Sequence, residues 1–440
     1  MACTNANPDP NGNVVTAFHQ TNYCPGPDFD HTWVGGHKML NFSNPDDTLT
    51  SPPMDGFIRY NALTELPNQA NGPPWDTMGF YNEVDLPFYY FLAENFAIDD
   101  RYFGGVLAQT FPNHGYALAA TSFGHLTTAE IGELFVHPPG PYMPINGSIF
   151  DLLNGNNITW TSYHADIEDY SLLFAPISSH QQPVSQFATD AAAGTLPAVA
   201  FVWACGFPDC NINGTTFETD EHPPSNIQAG EYFVYQNLTA LRNGPNWNDS
   251  IVFILHDEWG GLYDHVPPPA AAQNSNPTPD GIFPGQCADL SNPPASKQPG
   301  GGLDCMVSST SSTEGAPGIC PAFTPTGTYP SNCPAFDQLG FRVPFIAISP
   351  FAKKKYVSHT VGDHTSLLAL IEKRFLPSGS HLTERDAAAN DLEDMFDFTK
   401  SPSLKTKFKV AAPAPVQPDT VHNCPFVQTS DQAAQPDDDD

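Results

Sequence analysis

Basic residues are scarce in this chain. Its 440 residues hold 16 Lys and Arg against 48 Asp and Glu, a formal net charge of −32. Such a surface repels nucleic acid and anionic membranes, which excludes nucleic acid as a partner. Long apolar runs are also missing, so no segment is expected to cross a bilayer. Met1-Ala2-Cys3-Thr4 opens with neither a basic nor an apolar stretch, and no signal peptide is visible. Internal repeats are absent. With so few cations, most surface carboxylates have no basic partner. That suits an acidic medium, where protonation relieves self-repulsion.

What is present is a globular composition, 40% apolar, with 46 Pro and 33 Gly that imply long ordered loops. Nine cysteines and six N-x-Ser/Thr sequons, at Asn41, Asn146, Asn157, Asn213, Asn237 and Asn248, point to a secreted glycoprotein. Cys205 and Cys210 are close enough for a small loop. Cys287, Cys305, Cys320 and Cys333 fall in a Gly/Ser/Pro-rich stretch, read as a disulfide-pinned insertion over about 270–335. Residues 1–75 read as a loop-rich segment, 76–405 as the main domain, and 406–440 as an acidic, disordered tail.

Helices are expected over 84–97, from Pro112, over 148–153, over 230–242, and after Asp363. Strands are expected at 158–163, 197–203, 251–255 and 343–348. This order is that of a layered α/β fold.

The stretch Ile251-Val252-Phe253-Ile254-Leu255-His256-Asp257-Glu258 is a buried-strand pattern that runs into two carboxylates. Ligands of α/β proteins bind at the carboxyl ends of strands. Asp257 and Glu258 there can hold a divalent cation, Ca²⁺, Mg²⁺, Mn²⁺ or Zn²⁺; the bland alternative is a solvated acid pair. Thr110 precedes a Pro-initiated helix, Thr110-Phe111-Pro112-Asn113-His114, where free N–H groups favour an anion. It is read either as a nucleophile that a cation or a base must activate or as a helix cap. Among 15 histidines, His31 and His222 stand beside rigid Trp or Pro neighbours, and His364 beside Asp363 can organise its loop.

Five strings in order resemble one family, the secreted phosphoesterases of the phosphatidylcholine-type phospholipase C and AcpA-like acid phosphatase group. They are Glu94 to Phe103, Gln109 to Asn113, Glu221-His222-Pro223-Pro224, Asp257-Glu258 through Pro268, and Arg342 to Phe345 through Asp363-His364-Thr365-Ser366. The resemblance covers about residues 20–376. It implies an alkaline-phosphatase-like three-layer α/β sandwich and hydrolysis of phosphoric esters through a phospho-enzyme. Thr110 matches the nucleophile, and Asp257 and Glu258 match metal ligands. His31, His164 and His222 match histidines around the phosphate, with His222 or His31 as proton donor. Asn113 and His265 are expected on the substrate. The implied partner is a phosphate ester or phospholipid, and the implied cofactor one divalent ion.

One departure stands out. The family opens with a strand ending in Glu-Asn-x-Ser-Phe-Asp, whose Glu and Asn complete the metal site, and no such strand precedes the matching segments here. The favoured account is a start lost upstream of Met1; the others are a weakened metal site or a strand supplied by a partner. The rival reading of function is a non-catalytic acidic glycoprotein of the same fold that binds phosphate or cations.

Overall fold

A computed structural model describes most of residues 5–404. Residues 1–4, 65–72, 129–143, 272–283, 285–333 and 405–440, with some short stretches and single positions elsewhere, lie outside the description. The expected insertion and acidic tail fall almost wholly there, as do Cys210 and the four clustered cysteines. Cys24 and Cys205 are both disulfide-bonded.

The first 80 residues are richer in structure than their polar composition predicts. Strands β1 (Ala6–Pro8) and β2 (Val14–Thr16) pair antiparallel around a turn that Asp9 closes by accepting from the N–H groups of Asn11 and Asn13. Strand β3 (Phe18–His19) runs parallel to β4 (Gly79–Phe80), and helices α1 (Trp33–Leu40) and α2 (Phe57–Thr64) lie between them in sequence. Thr32 starts α1 by accepting from Gly35 N–H, a helix cap hidden in a polar stretch.

Then follow α3 (Pro87–Asn95), β5 (Ala97–Asp99), β6 (Tyr102–Phe103), α4 (Thr110–Ala119), α5 (Ile149–Gly155) and β7 (Trp160–His164). After these come β8 (Gln181–Pro183), α6 (Val184–Ala193), β9 (Val199–Trp203), the pair β10 (Asn211–Ile212) and β11 (Thr215–Thr216), and α7 (Ile227–Asn243). The last elements are β12 (Val252–Leu255), β13 (Phe345–Ile348), β14 (Tyr356–Ser358), β15 (Gly362–Asp363), α8 (His364–Phe375) and α9 (Glu384–Ala388). Pro87 sits in the first turn of α3, as expected, and Asp363 caps α8 through a capping box.

The protein is mixed α/β, with two principal sheets among the described residues. One has the order β12-β13-β5-β14, the other β8-β7-β9 with all strands parallel. A single central sheet was expected. The difference lies at two edges: β9 and β12 each have one hydrogen-bonded neighbour among the described residues. All four residues of β12 are apolar yet only partly buried, whereas all four of β13 are buried. Val202 of β9 and Val252 and Ile254 of β12 pack against one apolar cluster containing Phe88, Leu238, Trp247 and Ile348. These two strands thus share a helical cover while leaving backbone edges unpaired.

Buried acids are a second consequence of the low cation content. Glu231 of α7 is 1% exposed, and its Oε1 accepts from the N–H groups of Phe88 and Tyr89 in the first turn of α3. Burial pushes its carboxyl up from 4.5 to about 7, against the pull of those two N–H groups. The folded chain therefore favours the protonated form. This acid costs no stability below about pH 4.5, an increasing amount as pH rises, and its full penalty above about 7. Glu231→Gln keeps the acceptor and removes the charge. Its melting temperature is expected to match the parent at pH 4.5 and to exceed it at pH 8, by up to about 3 kcal/mol in stability. Parallel pH profiles for the two proteins would contradict this.

Candidate active site

Past β12 the chain turns sharply at Gly260 and Gly261, both with positive φ, +60° and +67°. A Cβ on Gly261 would lie 2.3 Å from Phe29 Cβ, so glycine lets this turn press against the loop that carries Asp28 and His31. Glu258 is buried and accepts from Gly260 N–H at 2.7 Å. Burial pushes its carboxyl up to about 7; His31 opposes the rise and Asp257 adds to it.

Asp257 behaves in the opposite way. Although burial disfavours its charge, the imidazoles of His114, His222 and His364 hold its carboxyl below the usual range. Its Oδ2 is sealed from water, has no hydrogen-bond partner, and lies 3.7 Å from His114 Nδ1. A buried carboxylate oxygen without a donor is costly unless a cation or ligand completes it.

Thr110 is the first residue of α4, and Gln109 occupies the cap position without a side-chain cap bond. The Thr110 hydroxyl is thus not the helix cap. Phe111 N–H is taken by Thr128 Oγ1 at 3.1 Å, and Pro112 has no N–H. The expected anion site therefore draws less on the first-turn amides than the sequence suggests. One turn on, His114 Nδ1 donates to Thr110 O at 2.9 Å. The same nitrogen faces Asp257 Oδ2, so one imidazole spans the gap between Thr110 and the acid. Its ring stacks on Tyr170 with centroids 3.6 Å apart and lies 5.5 Å from Trp203 at the end of β9.

The histidines share a tautomer logic. His31 Nδ1 meets Phe29 O at 2.7 Å, and His222 Nδ1 meets Pro223 O at 2.7 Å. A carbonyl only accepts, so in His31, His114 and His222 alike Nδ1 carries the proton, and in the neutral ring Nε2 keeps its lone pair. The rings of His31 and His222 meet edge to face, 5.3 Å between centroids. With Asp28 they offer three ligand atoms within 4.8 Å of one another. This is the three-donor group able to hold a metal at the site. Asp257 and Glu258, expected to be the ligands, belong to no such group among the described residues; Asp257 supplies negative charge beside it, whereas burial disfavours the charged form of Glu258.

Second contacts hold these groups in place. Glu221 accepts from Tyr89 Oη at 2.7 Å and from His256 Nε2 at 2.9 Å, which ties the His222 loop to α3 and to the end of β12. A Cβ on Gly230 would lie 2.1 Å from Glu221 Cγ, so α7 needs glycine there. His364 Nε2 donates to Asp257 O, and its Nδ1 accepts from Tyr102 Oη at 3.4 Å.

Two expected substrate residues sit elsewhere. Asn113 is fully buried, and its amide is spent on Val106 N–H and on the carbonyls of Ala108 and Gln109. It shapes the loop before α4. His265 is exposed and bonds Asn5 at 3.2 Å, while neighbouring Asp264 pairs with Arg342. His164 closes β7 as the register partner of Trp203.

Asp28, His114, Glu221 and His256 were not singled out from the sequence. His114 had a signal, its i+4 spacing from Thr110 on one helix face. Asp28 had none, because only the fold brings its loop to His222.

Carboxylates and oriented imidazoles around a helix start are the equipment of phosphoester hydrolases. Sequence comparison agrees: the chain belongs to the phosphoesterase family, whose model matches residues 4–376. It is similar to non-specific phospholipase C6 of Arabidopsis thaliana, 27% identical over 428 residues, covering 93% of this chain and 69% of that protein. It is also similar to non-specific phospholipase C1 of the same plant, 29% identical, covering 84% of this chain and 60% of the relative. Phospholipase C B of Mycobacterium tuberculosis is 29% identical over 400 residues, covering 86% and 65%. The chain thus spans roughly two thirds of these relatives' lengths. Among solved structures, murine ectonucleotide pyrophosphatase/phosphodiesterase 5 aligns over 73% of this chain and 97% of its own, at 11% identity and a TM-score of 0.33. That likeness is too distant to carry an argument. Among the described residues no helix is long and apolar enough to cross a membrane.

Proposed function

We propose that this chain hydrolyses phosphoric esters, phospholipids or soluble phosphate esters, through a covalent phosphothreonine at Thr110. The observation that carries the reading is the link Thr110–His114–Asp257, with an unpartnered buried carboxylate oxygen at its end. That oxygen and the Asp28–His31–His222 donor set fit a divalent cation, and the imidazoles favour zinc over calcium, magnesium or manganese. When bound, such an ion supplies Lewis acidity that lowers the pKa of a nearby hydroxyl and offsets phosphoryl charge.

The chain's own residues do the rest. The Thr110 hydroxyl gives up its proton to solvent, and Thr110 Oγ1 attacks phosphorus in line, forming its P–O bond as the ester P–O bond breaks. His222 or His31, in its imidazolium form with a proton on Nε2 as well as on Nδ1, hands the Nε2 proton to the departing alcohol and is left neutral. Neutral His114 holds the start of α4 against Asp257, and His364 fixes the Asp257 backbone. His164 is kept as a further phosphate contact, from the end of β7. Water then cleaves the phosphothreonine. The family membership and the phospholipase C relatives support this chemistry, within an alkaline-phosphatase-like sandwich. Two disulfide-bonded cysteines and six sequons support secretion.

The open edges of β9 and β12 support the reading that a further strand, ending in Glu-Asn, completes the sheet and the metal site. Assays of this chain and of an N-terminally extended version on p-nitrophenyl phosphate and on phosphatidylcholine test the proposal. Turnover of phosphatidylcholine makes it a phospholipase C; turnover of p-nitrophenyl phosphate alone makes it a phosphatase. Inactivity of both forms on both substrates would favour the phosphate- or cation-binding glycoprotein.

A further inference from the structure

A second donor cluster lies at the junction of α8 and α9. Glu372, near the C-terminal end of α8, is 4% exposed, and Asp386, in the first turn of α9, is 1% exposed. His381, in the connecting loop, leaves 41% of its side chain in solvent. One ligand atom from each lies within 4.8 Å of the others.

The contacts are asymmetric. His381 Nδ1 is 3.2 Å from Glu372 Oε2. Asp386 accepts from the N–H groups of Leu382 and Thr383, both at 2.7 Å. Its Oδ1 also accepts from the Thr383 hydroxyl at 3.1 Å, while Oδ2, which accepts from Leu382 N–H, keeps a second lone pair. Glu372 Oε1 is sealed from water and has no hydrogen-bond partner. No Lys or Arg forms an ion pair with Glu372 or Asp386 among the described residues. Nearby cations are directed elsewhere: Lys373 pairs with Asp391 and Glu393, and Arg385 donates to Gly105 O and lies over the Tyr116 ring. Two buried carboxyl groups in contact need something positive between them, either a shared proton or a cation.

We propose that Glu372, His381 and Asp386 form a structural binding site for a divalent transition-metal ion of the zinc type, separate from the candidate active site. One imidazole and two carboxylates are a known zinc donor class, with bonds of about 2.0–2.2 Å. Donor atoms on one ion lie at most about twice that bond length apart, so a small rotation of the exposed His381 closes the group. The ion would use the orphaned Oε1 and clamp α8 to α9. Helix α8 begins at His364, which holds Asp257, so the clamp braces the helix that carries an active-site support.

The test uses the full chain, demetallated and titrated with Zn²⁺ by calorimetry, in five forms: parent, His381→Ala, Glu372→Gln, the double variant His31→Ala/His222→Ala, and the triple variant that adds His381→Ala to it. The parent and the double variant should each bind an equivalent of Zn²⁺ that both His381→Ala and Glu372→Gln lack. Zn²⁺ should raise the melting temperature of the double variant by a few degrees, and of His381→Ala/His31→Ala/His222→Ala not at all. His381 is half-exposed, so its removal leaves the fold in place. Equal Zn²⁺ stoichiometry in the parent and His381→Ala, with both folded, would overturn the proposal: the two acids would then share a proton.

Discussion

Thr110→Ala is expected to lower kcat by at least about a thousandfold, because the attacking oxygen is gone and water is a poorer, unpositioned substitute. The fold should survive. The Thr110 side chain caps nothing, and the contact that anchors the helix start, His114 Nδ1 to Thr110 O, uses the backbone. Thermal melting and circular dichroism of the variant should therefore overlay the parent. Substrate affinity should change little, since the phosphate keeps its imidazoles. Thr110→Ser keeps a hydroxyl, primary in place of secondary, and should restore much of the rate. A Thr110→Ala protein that keeps full turnover would remove this residue from the scheme.

Asp257→Asn is expected to cost about a hundredfold or more in kcat, through charge and not through shape. Asn is nearly isosteric and leaves the backbone oxygen that His364 holds. What it removes is the one negative charge that His114, His222 and His364 all face. Metal affinity should fall with the rate, measured as bound metal per chain after dialysis. The His114 imidazole, whose pKa burial already lowers and Asp257 raises, should drop further and resist protonation at still lower pH. Unchanged metal content together with unchanged kcat would show that the unpartnered Oδ2 is incidental.

Much of the site was legible because its chemistry sits where elements end. The run Ile251 to Leu255 announced a strand, and a strand that stops at two acids announced a ligand edge. Asp363 before an apolar periodic run announced α8 and its cap. The Thr110 helix was placed two residues late, because Pro112 is read as a first-turn residue while the helix in fact starts at Thr110. The polar N-terminal region hid α1 and α2, whose stability comes from caps and tertiary burial of Trp33, Met39 and Phe57 and not from propensity. Asn113 is expected on the substrate from its place in the string Gln109 to Asn113. Its three amide hydrogen bonds depend on a loop path that spacing does not encode. Asp28 meets His222 across almost 200 residues of chain, and the close approach of Gly261 to Phe29 helps to place its loop. The edges that β9 and β12 show among the described residues were not legible in sequence, since pairing partners are a property of the assembled layers.

The account depends most on a covalent step at Thr110. Acid quenching during turnover of p-nitrophenyl phosphate, followed by peptide mass spectrometry, tests it directly. The account predicts one phosphoryl group on the peptide carrying Thr110, absent from Thr110→Ala. A protein that turns over substrate while its Thr110 peptide stays unmodified, with the phosphoryl group on another residue, would contradict it.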